Sequence, residues 1–164
     1  GVLTIKELED IPWNIILLFS GAMSIGFCLW KTGAAQWMAV NWLVMFQQAP
    51  WIIFVLGISI FVLLMTNFIM NVAAIAISLP VSLVIAQYLG VAPDVILYAS
   101  LVTAGMPFLL LIGAAPNAIS YQSGQFTPGE FFKHGITMSI VLILVLAVFL
   151  VTVWPLLGMP ILLK

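Results

Sequence analysis

Polar side chains are scarce in this sequence, so the few inside its apolar stretches mark where chemistry can occur. The first group is Thr66, Asn67 and Asn71 in "TNFIMN", the two asparagines four residues apart. Asparagine carbonyls are hard oxygen ligands for a small cation, and helix N-termini beside them favour an anion. Hydrogen bonding between helices, worth about 1 kcal/mol or less per contact, accounts for the same residues in a plainer way. The second group is "GAAPNA", residues 113–118. Pro116 has no N–H to donate, and its ring blocks the carbonyl four residues back. That frees carbonyls around Ile112 and Gly113, where small Gly113, Ala114 and Ala115 let a ligand come close. Broken helices with freed carbonyls hold ions and substrates in transport proteins; the alternative is a proline kink that only shapes packing. Ser20, Gly21, Ala22, Ser24 and Gly26 form a third group, whose small side chains read as close helix packing.

Catalytic chemistry has little to work with. His134 is the one histidine, in a polar stretch with Glu130 four residues before it, and reads as a solvated pair. No paired carboxylates, metal-ligand cluster or serine–histidine pair lies inside an apolar stretch, so an enzyme is excluded as the reading. Asp94 is the one candidate for the buried acid that a proton relay would need, and it follows Pro93 in a loop pattern where the first turn of a helix favours it. There is no arginine, hence no basic groove for nucleic acid. The single cysteine, Cys28, excludes an internal disulfide.

The elements that must position these groups are those of a membrane protein. The chain has 164 residues, 65% hydrophobic and 5% charged, and nine charged side chains cannot cover a soluble fold of this size. Residues 11–30 are long enough for one span, with Pro12 suited to a first helical turn and Trp13 to the interface. Residues 34–46 are short and mixed in polarity and read as an interfacial or partly buried arm. After the turn signal "QQAP", apolar residues 51–68 and 72–89 meet at the first polar group. They form either two full helices joined at a surface or a re-entrant hairpin whose tip faces protein or a wet cavity. The lack of Gly, Lys or Glu at the junction favours the hairpin. Residues 95–113 run apolar with Gly105 and Pro107 inside, and the break follows at Pro116. "FTPGEFFKHG" reads as an amphipathic surface segment starting at Thr127-Pro128, before a last span over residues 136–154. Lys6 and Lys31 flank the first span on opposite sides, so positive charge sets no orientation. The chain opens on Gly1 and a short polar lead, "TIKELED", and is expected to be a piece of a longer polypeptide.

The order "IPWNIILLFSGAMSIGFCLWKTGAAQWMAV", "FVLLMTNFIMNVAAIAISLPVSLVIAQYLGV", "IGAAPNAISYQSGQFTPGEFFKHG" and a final span resembles the C-terminal half of the divalent anion/sodium symporter family. That family includes sodium–dicarboxylate, citrate and sulfate carriers, and the resemblance spans residues 5–155. It implies an all-α membrane fold of two inverted repeats, each with a re-entrant helical hairpin and a broken transmembrane helix. Residues 1–164 would then be one transmembrane domain, the C-terminal repeat, with the N-terminal repeat elsewhere in the polypeptide. Residues 66–80 would be the hairpin tip and its returning arm, and residues 95–121 the broken helix.

The resemblance further implies secondary transport of a small anion coupled to sodium, a homodimer, and a multi-pass protein of the plasma (inner) membrane with no conventional cofactor. Carried over by position, Asn71, Val72, Ala115, Pro116 and Asn117 would bind substrate. Thr66, Ile69, Asn71, Gly113 and Ala114 would bind the ion, Ile69 and Gly113 through backbone carbonyls. The family's Ser-Asn-Thr reads Met70-Asn71-Val72 here, and its Thr-Pro-Pro-Asn reads Ala114-Ala115-Pro116-Asn117. Lost hydroxyls leave two further readings beside sodium-coupled transport. One is a proton-coupled or uncoupled permease; the other is a non-transporting module that keeps the fold for assembly.

Overall fold

The computed structural model describes residues 13–46, 48–69 and 71–162, and among them the chain is all helical. In order come α1 (Trp13–Lys31), α2 (Ala34–Val44), α3 (Trp51–Met65), α4 (Asn71–Leu89) and α5 (Pro93–Ala104). A 3-10 turn (Leu111–Gly113) precedes α6 (Ala115–Tyr121), α7 (Pro128–Val151) and α8 (Val153–Leu156). One isolated antiparallel bridge joins Val91 to Leu162. The polar lead with Lys6, the expected first-turn Pro12, Gln47 and Met70 lie outside the described residues.

Helix α1 ends where Lys31 complements the helix dipole and Gly33 takes a left-handed φ of 74°. From there α2 departs at 68° to α1. Ala35, Ala39 and Leu43 recur every four residues on α2 and are fully buried, so one face of the arm packs into protein, chiefly against α4. Trp42 Nε1 donates to Gly57 O at 2.9 Å and ties the arm to α3 as well.

Helix α3 is apolar nearly all round and buries most of its length, with Ile53 and Ile60 left exposed. Its Phe54, Val55, Ile58 and Val62 join Ile85 of α4, Ile96 and Ala99 of α5, and Leu146 and Leu150 of α7 in the main core. At 15 residues it spans about 22 Å, short of a roughly 30 Å bilayer core. Helix α4 and the α7–α8 run (Pro128–Leu156) are long and apolar enough to cross a membrane.

Two expectations are corrected. The surface segment at residues 126–135 is not separate from the last span. Thr127 caps α7 with a reciprocal capping box, Glu130 N donating to Thr127 Oγ1 and Thr127 N donating to Glu130 Oε2, and the helix then runs unbroken to Val151. The helix break does not lie at Pro116 either. Helix α5 stops at Ala104, residues 106–110 are non-helical, and Pro116 sits in the first turn of α6, where its missing N–H costs nothing. The effective breaker is Pro107, which disfavours helical geometry at Met106 and cannot continue the ladder.

Candidate functional site: a hairpin tip facing a broken helix

The site is built where the α3–α4 tip meets the unwound stretch between α5 and α6. Thr66, Asn67 and Ile69 are 0%, 1% and 5% exposed, so these residues of the junction are packed into protein, while Phe68 between them stays exposed. Burial of that kind is the condition under which irregular backbone is tolerated at membrane depth.

Asn67 organises the tip. Its Oδ1 accepts from Leu109 N at 3.0 Å and from Leu110 N at 2.9 Å, while its Nδ2 donates to Leu63 O at 2.6 Å. Unwinding a helix strands backbone donors, each costing about 1–3 kcal/mol if buried without a partner. One amide from the tip serves two of them. From the other side, Asn117 Nδ2 donates to Pro107 O at 2.8 Å. Two asparagines, one on each side, therefore hold the unwound segment open. Helix α7 closes against it through Gly135, where an added Cβ would stand 2.1 Å from Phe108 O.

The Thr66 hydroxyl lies 2.5 Å from Asn71 Oδ1 and 2.9 Å from Ala104 O, the last carbonyl of α5. A hydroxyl has one proton and cannot donate to both. Exchanging N for O in the Asn71 amide, which leaves its shape unchanged, resolves the conflict. Asn71 Nδ2 then donates to Thr66 Oγ1, the hydroxyl donates to Ala104 O, and Asn71 Oδ1 is not engaged by Thr66.

A pocket of about 380 Å³ opens between tip and break. The tip and α4 contribute Phe68, Ile69, Asn71 and Val72; the break contributes Ile112, Gly113, Ala114 and Ala115; α1 contributes Ala22 and Met23. Six residues singled out in the sequence thus share one cavity: Ile69, Asn71, Val72, Gly113, Ala114 and Ala115. Thr66, Pro116 and Asn117 do not line it. Thr66 stands buried behind Asn71, Asn117 is turned to the Pro107 carbonyl, and Pro116 is exposed on α6. Sequence reasoning missed Ala22 and Met23 as a wall, and it marked Asn67 as polar without giving it a role. Among the described residues Asn71 is the only polar side chain of the lining, and no ionisable group joins it.

The third polar group divides. Gly26 is buried against the tip, an added Cβ there meeting Ile69 Cα at 3.2 Å and Phe68 O at 3.3 Å, whereas Gly21 faces open space. Asp94 stands exposed in the first turn of α5, and His134 and Glu130 are exposed on α7. Among the described residues no three His, Cys, Asp or Glu side chains gather to hold a metal ion.

A buried hairpin tip packed against a broken helix, in a bundle with membrane-length apolar helices, defines a polytopic membrane protein of the carrier type. Residues 4–160 match the family described as the sodium:sulfate symporter transmembrane region, and the chain belongs to that family. Its members are transporters and not enzymes. The chain is 28% identical over 156 residues to the sodium-dependent dicarboxylate transporter of Staphylococcus saprophyticus, covering 93% of this chain and 30% of that protein. It is 30% identical over 142 residues to the human Na(+)/dicarboxylate cotransporter 3, covering 87% of this chain and 23% of that protein. To the mouse Na(+)/citrate cotransporter it is 29% identical over 136 residues, covering 83% and 24%. The chain therefore spans about a third or less of the length of the curated relatives it matches.

Proposed function

We propose that this chain is one repeat of a secondary anion carrier of the plasma membrane, driven by a sodium gradient. The observation that carries this reading is the pocket in which Asn71 of the hairpin faces Gly113–Ala115 of the break. Asn71 Oδ1 together with backbone carbonyls of the tip and break suits a small hard cation. A cation held there in turn supplies positive charge to an anion, in a site with no basic side chain of its own. Thr66 orients Asn71, and Asn67 and Asn117 keep the break open; Pro116 is a pre-set first turn for α6. The tip and the break, joined by hydrogen bonds, would move as one body against a scaffold during transport. The other repeat of the polypeptide would complete the site, and a second copy would complete a homodimer.

The test is uptake by the full-length protein in vesicles. Succinate, citrate and sulfate are offered with and without an inward sodium gradient. Gradient-dependent uptake of at least one, abolished by Asn71→Ala, is expected. Folded protein that takes up no anion sinks the reading. Uptake that ignores sodium but follows a proton gradient moves the coupling to protons. The second reading, a module kept for assembly alone, is favoured by the nearly all-apolar lining and predicts no uptake at all.

A further inference from the structure

We infer that the first turns of α7 hold the headgroup of a zwitterionic phospholipid, with one acyl chain laid along the exposed face of the same helix. The site is a cavity of about 300 Å³ that shares no residue with the one at Asn71. Phe108 of the break, Phe126 and Phe131 form its aromatic walls, Met138 stands at its apolar end, and Glu130 and His134 border it. Phe126 and Phe131 are stacked into one wall, with ring centroids 5.7 Å apart and 27° between their planes. The faces of such rings attract an ammonium group, and a carboxylate beside them adds opposite charge. Glu130 is exposed, and its capping contacts with Thr127 N and Thr127 Oγ1 both fall on Oε2. Lys133 and His134 follow three and four positions later, one turn on along the same face, and both are exposed. Ammonium against Glu130 and the phenylalanines, with phosphate against Lys133 and His134, is the charge order of a zwitterionic headgroup.

The place of the cavity along α7 fits a headgroup. Glu130, Lys133 and His134 stand in the first turns, and from Ile136 to Val151 the helix holds no charged side chain. The cavity therefore sits where the polar start of a membrane-length helix gives way to its apolar run, which is the level of the lipid headgroups. Beyond it Met138, Val141, Val145 and Val148 recur at spacings of three and four and are between 46% and 61% exposed. At the helical rise that stripe is about 15 Å long, the depth of one leaflet of a roughly 30 Å hydrocarbon core. A shallow apolar cavity lined by Leu144, Val145 and Val148 lies on the same line. Any lipid tail can cover an apolar stripe, so the stripe orients the ligand while the headgroup carries the selectivity. An anionic lipid brings no ammonium to the phenylalanines and sets its net negative charge beside Glu130.

The experiment needs no transport. The full-length protein is reconstituted in vesicles of equal parts phosphatidylethanolamine, phosphatidylcholine and phosphatidylglycerol and then extracted in mild detergent. The lipid retained per protein is measured by mass spectrometry. At least one of the two zwitterionic lipids is expected to be enriched over phosphatidylglycerol by roughly threefold or more relative to the starting mixture. Glu130→Gln removes the charge but keeps the capping box, in which glutamine serves as glutamate does. It should lower the enrichment by about threefold, the worth of an exposed ion pair. Phe131→Leu keeps apolar bulk, removes a ring face and should lower the enrichment as well. Retained lipid in the proportions of the mixture, or enriched in phosphatidylglycerol, overturns the inference. An enrichment that survives both Glu130→Gln and Phe131→Leu places the bound lipid elsewhere and overturns this site.

Discussion

Asn67 and Asn71 are the same residue type four positions apart, yet they do different work. Asn67 is spent inside the protein, on Leu63 O, Leu109 N and Leu110 N, whereas Asn71 faces the pocket. Substitution should separate them. Asn67→Leu, close in volume, strands two buried N–H groups and is expected to destabilise the full-length protein by about 2 kcal/mol or more. That would appear as a lowered thermal unfolding midpoint. Asn67→Asp keeps an acceptor for both donors but loses the Nδ2 donor to Leu63 O and buries a carboxyl group, so it should not restore the midpoint; an unchanged midpoint in Asn67→Leu would show that the two N–H groups do not depend on Asn67. Asn71→Ala should instead spare stability and remove uptake. Sequence alone showed two asparagines in an apolar setting and could not divide these roles, because the two N–H groups that Asn67 serves lie more than forty residues away in the chain.

At the scale of elements, the break is held by neighbours more than by its own sequence. Pro107 stops α5, but the path of residues 106–110 is set by Asn67, Asn117 and the bare backbone of α7 at Gly135. Gly135→Ala would place a methyl 2.1 Å from a backbone oxygen that cannot swing aside. It should cost about 1–3 kcal/mol by overpacking. Gly129→Ala, in the same helix with open space around it, should change stability by no more than about 0.5 kcal/mol. Indistinguishable unfolding midpoints for these two variants would refute a tight seat for the break on α7. The existence of a break was legible from proline and small residues. Its position was not, since Pro107 and Pro116 are both candidates by local chemistry and only packing decides between a stop and a start. The continuity of α7 was hidden for a related reason: its first turns are polar and the rest apolar, and no Gly-Pro pair marks a boundary between them.

For the molecule as a whole, the arrangement is three walls around one cavity: tip, break and α1. Composition marked a membrane protein, the family resemblance supplied the all-α class, and the polar points located two of the walls. The third was half legible: small Ala22 and Gly26 signalled close packing, and Gly26 does seat α1 on the tip, but nothing in the sequence made Ala22 and Met23 a cavity wall. Enlarging Gly26 should part the walls. Gly26→Leu is expected to push the tip off α1 and to lower anion uptake by the full-length protein well below that of the unaltered form. Full uptake in vesicles with equal protein content would show that α1 is not needed to shape the site.

One consequence follows from the division of labour among the asparagines. The groups that prop the cavity open, Asn67 and Asn117, lie outside its surface, and most of the groups that form its surface, such as Val72, Ala114 and Ala115, make no side-chain hydrogen bond to the unwound segment. Architecture and selectivity are thereby inherited separately. A lineage could exchange hydroxyls for methyl groups around the cavity, or restore them, through single steps that never pass through an unfolded ancestor.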